Sequence, residues 1–486
     1  MTLDKLIEIC NPLHVSNREI DRDLTTFVTD SREAEPGSVF IAIKGTQVDG
    51  HMFLEDAIQR GANVIICEES FYTDNENVCV LEVEDTKVLT GSIAQAFYND
   101  PAKKLKIIGI TGTNGKTTTA TLVYQVLRLC NKKASLLGTV SKRILDDEFE
   151  SALTTSDPIE LASDMKKMVD AGCEYLVMEA SSHALHQHRV SGFDFEVGAF
   201  TNLSHDHLDY HESLEEYARA KKMLFDGLPE HAVAVINDDD KFGQQMLSDC
   251  KAQKILLSFE NDTAFILENT AQGISIIVDG QKIESPLVGK FNAYNLGIGY
   301  HICKALGLDS SEISKALSTA KGAPGRMEAI EVKGEDIPLV IVDYAHTPDA
   351  LQNVLSTLSA VKDAEQKLTV LFGAGGDRDT SKRPEMAKVA QEYADNIIVT
   401  SDNPRSENPD LIIADILAGF DDLNNVKSIT DRKEAIQVAI QNADQNDIIL
   451  IAGKGHEDYQ EVNGERHPFD DRKIAHEFLP QKAGGS

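Results

Sequence analysis

Ile107-Ile108-Gly109-Ile110-Thr111-Gly112-Thr113-Asn114-Gly115-Lys116-Thr117-Thr118 reads as a strand, a glycine-rich turn and a helix start. That order suits a nucleotide's phosphates. Glycines let backbone amides approach phosphate oxygens, and a helix N-terminus adds a field that favours anions. Lys116 would neutralise the β- and γ-phosphates, and the Thr117 hydroxyl would reach a magnesium ion. Gly112, Thr113, Asn114, Gly115 and Thr118 complete the expected nucleotide cradle. The spacing departs from G-x-x-x-x-G-K-[ST], because Ile110 stands where the first glycine belongs. A plain glycine-rich turn is therefore the alternative.

Three further features lie downstream. The run Tyr175-Leu176-Val177-Met178 ends in Glu179, a carboxylate placed to hold magnesium or to sit in a salt bridge. Thr201 to His211 holds His205, His207, His211, Asp206 and Asp209. No cysteine or H-E-x-x-H pattern supports zinc there, so one histidine on magnesium, with the others as hydrogen-bonding groups, fits better. Next, Ser213 and Glu216 form a capping-box pattern before a helix striped by Leu214, Tyr217, Leu224 and Phe225. Lys221 falls on that stripe. It must snorkel, pair with an acid, lose its charge, or serve the metal site.

A fourth group is spread through the last third of the chain. Leu339–Val342, Leu368–Phe372, Ile397–Val399 and Ile448–Ile451 are apolar runs, each followed at once by a polar cluster. The clusters are Asp343 to His346, Gly373 to Asp379, Ser401 to Arg405 and Gly453 to Glu457. Ligands of doubly wound sheets bind outside the carboxyl ends of strands, so the four clusters suggest one binding face.

The elements that must position these residues alternate β-branched runs with helical stretches, which argues α/β with mainly parallel sheets. The 486 residues exceed what one core serves, about 250–300. Residues 1–100, 101–327 and 328–486 read as three units, divided near Asn99-Asp100-Pro101 and after Gly322-Ala323-Pro324-Gly325-Arg326. Strands are expected at Val39–Ile43, Val64–Cys67, Leu105–Ile110, Ala134–Leu137, Tyr175–Met178, Val197–Phe200 and Ala232–Ile236. The net charge of −32 (47 basic against 79 acidic residues) disfavours a general nucleic-acid binder. An anionic small substrate would need a local cationic pocket. No run of about 20 apolar residues and no export-signal pattern is seen, so a cytoplasmic chain is expected. Seven scattered cysteines without a C-x-x-C pair read as buried reduced thiols. Lys482–Ser486 reads as a loose tail.

Taken in order, Thr111–Thr117, Met178–His183, Asn202–Asp209, Tyr217–Lys221, Gly289–Asn295, Gly325–Glu328 and Asp343–Pro348 resemble the successive signatures of the Mur ligases. The resemblance spans all three units. It implies a UDP-precursor-binding domain, a central P-loop-type parallel-sheet ATPase domain, and a C-terminal Rossmann-like domain that brings the amino acid. It implies ATP and two magnesium sites. Lys221 maps onto the family's carbamylated lysine, which would join Glu179 and His207 on one metal, with Thr117 and Glu179 on the other. Asn292, Arg326 and Asp343 match nucleotide-contacting positions.

Within the family, the N-terminal Asp30-Ser31-Arg32 and Lys44-Gly45 are similar to uridine-side motifs of the branch that adds the third peptide residue. Ser31, Thr154, Thr155, Ser181, Gln187 and Arg189 match its precursor contacts. Asp402-Asn403-Pro404-Arg405 resembles the signature of members that add meso-diaminopimelate, and Arg378, Gly453 and Glu457 match other amino-acid contacts. The physics agrees: diaminopimelate carries a second carboxylate where lysine carries only an ammonium, and a guanidinium binds the carboxylate bidentately. The expected activity is ATP-dependent amide formation on UDP-MurNAc-L-Ala-D-Glu by a monomer. The rivals are the same ligase using L-lysine, a nucleotide-hydrolysing switch, and a non-catalytic nucleotide-binding module.

Overall fold

The computed structural model describes residues 1–486 except 19–22, 46–47, 205, 208–209, 262, 333–336 and 484–486. Two compact units divide the chain: Met1–Ser258 with Ile298–Asp309, and Phe259–Gly297 with Ser310–Ser486.

The first unit holds two sheets. In the five-stranded one, Thr26–Val28, Ser38–Ile41, Val64–Cys67 and Cys79–Glu82 run parallel, and His14–Ser16 closes the edge antiparallel. Its inner strands are apolar apart from Ser38 and Glu82, and buried at every position but Glu82, because both faces are covered. Val39, Ile41, Val64 and Ile66 pack into one core cluster, and Phe40 and Ile65 into another. The larger sheet runs Gln253–Leu257, Val233–Asn237, Val197–Phe200, Lys106–Thr111, Tyr175–Glu179, Ala134–Leu137, all parallel, then an antiparallel pair, Lys142–Ile144 and Asp147–Phe149. The strands ending at Thr111, Glu179, Leu137 and Phe200 are thus neighbours, and their carboxyl ends share one edge.

The second unit has a six-stranded sheet, ordered Glu328–Ala329, Leu339–Asp343, Ile448–Ala452, Leu368–Phe372, Asn396–Val399, Val426–Ser428 and parallel apart from the first pair. Ala264–Thr270, Gly273–Val278 and Gln281–Ser285 form an antiparallel meander, and Tyr459–Val462 with Glu465–Pro468 a hairpin. Neither small sheet was expected from the sequence. Every strand that was expected is present, to within a residue or two at its ends.

The tail expected to be loose is helical through Ala483, in the helix Asp471–Ala483, and its last three residues lie outside the described ones. His205, Leu208 and Asp209 of the histidine loop also lie outside them. Six of the seven cysteines are buried. Among the described residues, no helix is long and apolar enough to cross a membrane.

Candidate active site

In the first unit, the phosphate loop leaves the sheet where Lys106–Thr111 ends and enters the helix Lys116–Leu129. Ile110 is fully buried in the strand, so the glycine requirement falls on Gly112 instead. A Cβ there would collide with the Thr201 hydroxyl. The loop is pinned by the neighbouring strand end: Thr113 N donates to Asn202 O at 2.8 Å, Asn114 N to Asn202 Oδ1 at 3.0 Å, and Asn202 Nδ2 to Asn114 O at 3.1 Å. Lys116 Nζ folds back onto the carbonyls of Gly112 and Thr113, both at 2.8 Å. Thr118 is buried in the first turn of the helix.

Glu179 is the hub of this group. It is 1% exposed at its strand's end. Its Oε2 accepts from Thr117 Oγ1 at 2.9 Å and from Thr139 Oγ1 at 3.2 Å, and its Oε1 accepts from Thr139 N at 2.8 Å. All three donors are neutral; among the described residues no cation balances this carboxylate. Thr139 was not singled out from the sequence. Its place, two residues past the strand Ala134–Leu137, is the signal that could have found it.

The expected precursor contacts join the same network. Thr139 Oγ1 lies 3.0 Å from the Thr154 hydroxyl. Thr155 Oγ1 donates to Glu179 O at 2.8 Å and lies 3.3 Å from Ser181 Oγ. Ser181 caps the short helix Ser182–His186. Arg189 donates to Thr155 O at 3.1 Å and grips Gln187 Oε1 at 2.7 and 3.0 Å, while Gln187 Nε2 reaches Tyr210 Oη at 3.0 Å. Ser31 belongs instead to the five-stranded-sheet region, where its hydroxyl donates to Asp56 at 2.7 Å.

Lys221 does not snorkel. Ser213 caps its helix by accepting from Glu216 N at 3.2 Å, and the lysine, 1% exposed, points inward. Its Nζ donates to Gly112 O at 2.7 Å and sits 4.2 Å from the Tyr217 ring centroid. Lys116 donates to the same carbonyl. Burial, and then the Lys116 charge, drive the Lys221 amine well below the ordinary lysine range. The His207 ring lies 6.0 Å from the Tyr217 ring and 4.9 Å from that of His183. His211 is buried and pairs with Ser182 Oγ at 3.0 Å; burial and the neighbouring histidines lower its pKa to about 4. Among the described residues, no group of three or more His, Cys, Asp and Glu could hold a metal ion.

In the second unit, two groups form at strand ends. Asp343 is buried, accepting from Met327 N at 2.7 Å and Ala345 N at 2.8 Å; burial raises its pKa, against the pull of Arg326. The Arg326 guanidinium lies 4.8 Å from the Tyr344 ring centroid, and its Nε is buried without a partner among the described residues. Asn292 bonds to Val288 O and Asn295, with no hydrogen bond to Arg326 or Asp343 among the described residues.

The other group gathers all the expected amino-acid contacts. Arg405 Nη1 donates to Gly376 O at 2.7 Å and stands over Gly375, where a Cβ would meet it at 2.9 Å. The Arg378 stem flanks the same glycine. Arg405 has the unusual φ of 53°, held by Arg405 N to Glu461 O at 3.0 Å and Asn463 N to Arg405 O at 2.7 Å. Pro404, between Asn403 and Arg405, packs its carbonyl on Gly376. Asn403 Nδ2 donates to Glu457 Oε2 at 2.9 Å. Asp402 Oδ2 is buried without a hydrogen-bond partner among the described residues and faces Gly453, where a Cβ would come within 2.6 Å of it. Lys454 and Arg432, missed in the sequence, lie beneath this loop group. Lys454 Nζ bonds Asn403 and Glu457, and Arg432 bonds the carbonyls of Ser401 and Ala452.

Parallel sheets with a phosphate loop beside a buried acid, and an arginine-rich strand-end cluster in a further α/β unit, are the parts of a nucleotide-binding α/β protein. Three family models match in chain order: "Mur ligase family, catalytic domain" over residues 24–111, "Mur ligase middle domain" over 110–302, and "Mur ligase, glutamate ligase domain" over 325–455. The chain belongs to the Mur ligase family. It is similar to the UDP-N-acetylmuramoyl-L-alanyl-D-glutamate–2,6-diaminopimelate ligases of Cytophaga hutchinsonii (45% identical over 485 residues, 99% of each chain) and Bacillus licheniformis (41% over 488 residues, 98% of each). A solved structure of a ligase of that name superposes with a TM-score of 0.72 at 35% identity, covering 96% of this chain and 97% of that one. MurF ligase from Thermotoga maritima in complex with ADP shares the fold, with a TM-score of 0.58 at 19% identity over 95% of this chain and 98% of the other.

Proposed function

We propose that this protein is an ATP-dependent ligase that joins meso-diaminopimelate to the D-glutamyl γ-carboxylate of UDP-MurNAc-L-Ala-D-Glu, in cytoplasmic peptidoglycan precursor synthesis. Residues 1–100 take the UDP end, 101–327 the ATP and 328–486 the amino acid. The observation that carries the reading is the cluster of Arg378, Arg405, Asn403 and Glu457. Two guanidiniums and a carboxylate match the far end of diaminopimelate, which bears one carboxylate and one ammonium. Lysine offers no acid to Arg405.

A carboxylate is a poor electrophile. Its oxygen attacks the γ-phosphorus of ATP, the bond to the β-phosphate oxygen breaks, and ADP leaves. The diaminopimelate amine then adds to the acyl phosphate; inorganic phosphate and a proton depart, and the amide remains. No protein nucleophile is required. Lys116, released from the Gly112 and Thr113 carbonyls, offsets charge on the transferring phosphate. Arg189 and Gln187 orient the precursor, and Arg326, Asp343 and Asn292 the nucleotide.

Magnesium fits the donor set: a buried carboxylate on Glu179, with no ion pair among the described residues, beside the Thr117 hydroxyl is hard-oxygen chemistry. When bound, the ions would supply charge neutralisation at the phosphates. Burial, which disfavours the charged form of the Lys221 amine, suits carbamylation. The amine adds CO2, loses a proton, and gains anionic oxygens that could serve a second ion with Glu179 and His207.

The test is ATP-dependent product formation with precursor and either amino acid. Strong preference for diaminopimelate is expected. A preference for lysine, or ATP turnover that needs neither precursor nor amino acid, overturns the reading.

A further inference from the structure

Lys454 has 0% exposure, yet nothing in the ligase chemistry requires it. Its ammonium donates to Asn403 Oδ1 and to Glu457 Oε2, both at 3.0 Å, and lies 5.4 Å from the Tyr459 ring centroid. Two consequences follow. Asn403 cannot flip, because its oxygen faces two donors, Lys454 Nζ and Glu461 N (3.0 Å), while its amide nitrogen faces the Glu457 carboxylate. Glu457 has Oε2 occupied twice, which leaves Oε1 to accept from an incoming ammonium.

Charge adds a second argument. Two cations of this loop group each face a carboxylate: Lys454 Nζ lies 3.0 Å from Glu457 Oε2, and Arg405 Nε 3.5 Å from Glu461 Oε2. The deeper Arg432 and Asp471 neutralise each other at 2.8 Å. Lys454 is the more deeply enclosed of the two loop-group cations, with no side-chain exposure against 23% for Arg405. Removing the Lys454 charge makes the surroundings of Glu457 more negative, which favours an amino acid ending in a bare ammonium and disfavours one that also bears a carboxylate.

We infer that Lys454 is a specificity-determining residue: its buried charge fixes Asn403 and Glu457 and biases selection toward the diamino acid with two carboxylates. This rests on the ligase reading above. A solely structural lysine would weaken binding of both amino acids alike, so the ratio between them is the diagnostic.

The experiment measures kcat/KM for meso-diaminopimelate and for L-lysine with wild type, Lys454→Met and Lys454→Gln, with the KM for ATP and the melting temperature alongside. The diaminopimelate-to-lysine ratio is expected to fall about tenfold in both variants, mostly through the diaminopimelate KM, with the ATP KM unchanged. An unmoved ratio in a folded variant overturns the inference while leaving the ligase intact. Loss of folding in both variants also overturns it, making Lys454 structural. Failure of wild type to use diaminopimelate brings down the ligase reading instead.

Discussion

Arg432→Met is the perturbation whose size follows most directly from geometry. Arg432 and Asp471 are both fully enclosed. The guanidinium meets the carboxylate through two bonds of 2.8 Å, Nε to Oδ1 and Nη2 to Oδ2. It also donates to Ser401 O at 3.3 Å and Ala452 O at 3.0 Å, and so ties together the loops that carry Asp402 and Gly453. Methionine fills much of the volume but strands the Asp471 charge. Breaking a buried pair from one side costs about 3–5 kcal/mol, and two carbonyls that lose a donor add about 1 kcal/mol each where water does not enter. At about 1.4 kcal/mol per factor of ten, even the low end speeds exchange by about a hundredfold. Hydrogen exchange of a peptide spanning the Ile448–Ala452 strand reads this directly. The double variant Arg432→Met/Asp471→Leu removes both charges and is expected to recover much of the loss, because apolar replacement of a whole buried pair is close to neutral. Exchange within tenfold of wild type in the single variant, or a double variant as fragile as the single, would refute the argument.

Lys221→Ala is expected to abolish ligation, with partial rescue by a short carboxylic acid that stands in for the carbamate; near-normal activity without rescue counts against that modification. Arg405→Ala should raise the diaminopimelate KM about thirtyfold or more while the ATP KM stays within about twofold, as steady-state kinetics would reveal. The lowered pKa of His211, about 4 in the fold against an ordinary value near 6.5, means that the unfolded chain takes up its proton first as pH falls. Its contribution to stability is therefore fully present above about pH 6.5 and is lost on the way down to pH 4. His211→Gln should flatten that part of the stability profile, and denaturant midpoints at pH 7, 6, 5 and 4 would record the change.

Much of the site was legible because strand ends and helix starts are local events. Apolar runs at Ile107–Ile110, Tyr175–Met178 and Ile448–Ile451 mark buried parallel strands, and the polar residues directly after them must emerge at one edge of a sheet. Lys116, Glu179, Arg405 and Glu457 were expected just past such runs, and the fold sets each of them there. Residues whose meaning depends on a distant partner were not expected. Asp431-Arg432-Lys433-Glu434 looks like a solvated helix start, but Arg432 is buried by an aspartate 39 residues later. The Ala264–Ser285 meander escaped notice because its first strand leaves most side chains at least partly exposed, so no clean apolar alternation marks it.

Local chemistry, then, was settled by the order of residue types. A glycine-rich turn before Lys116-Thr117 can bind phosphate, and an arginine after Asn403-Pro404 can select an acid, because steric freedom and charge belong to the residues themselves. Direction and partnership were settled only by tertiary structure. Periodicity placed Lys221 on an apolar stripe, but it took the packing of its helix to turn the amine onto the Gly112 carbonyl beside Lys116. The reason is dielectric: a charged group's behaviour depends on which dipoles and ions surround it once water is gone, and those come from segments far apart in the chain.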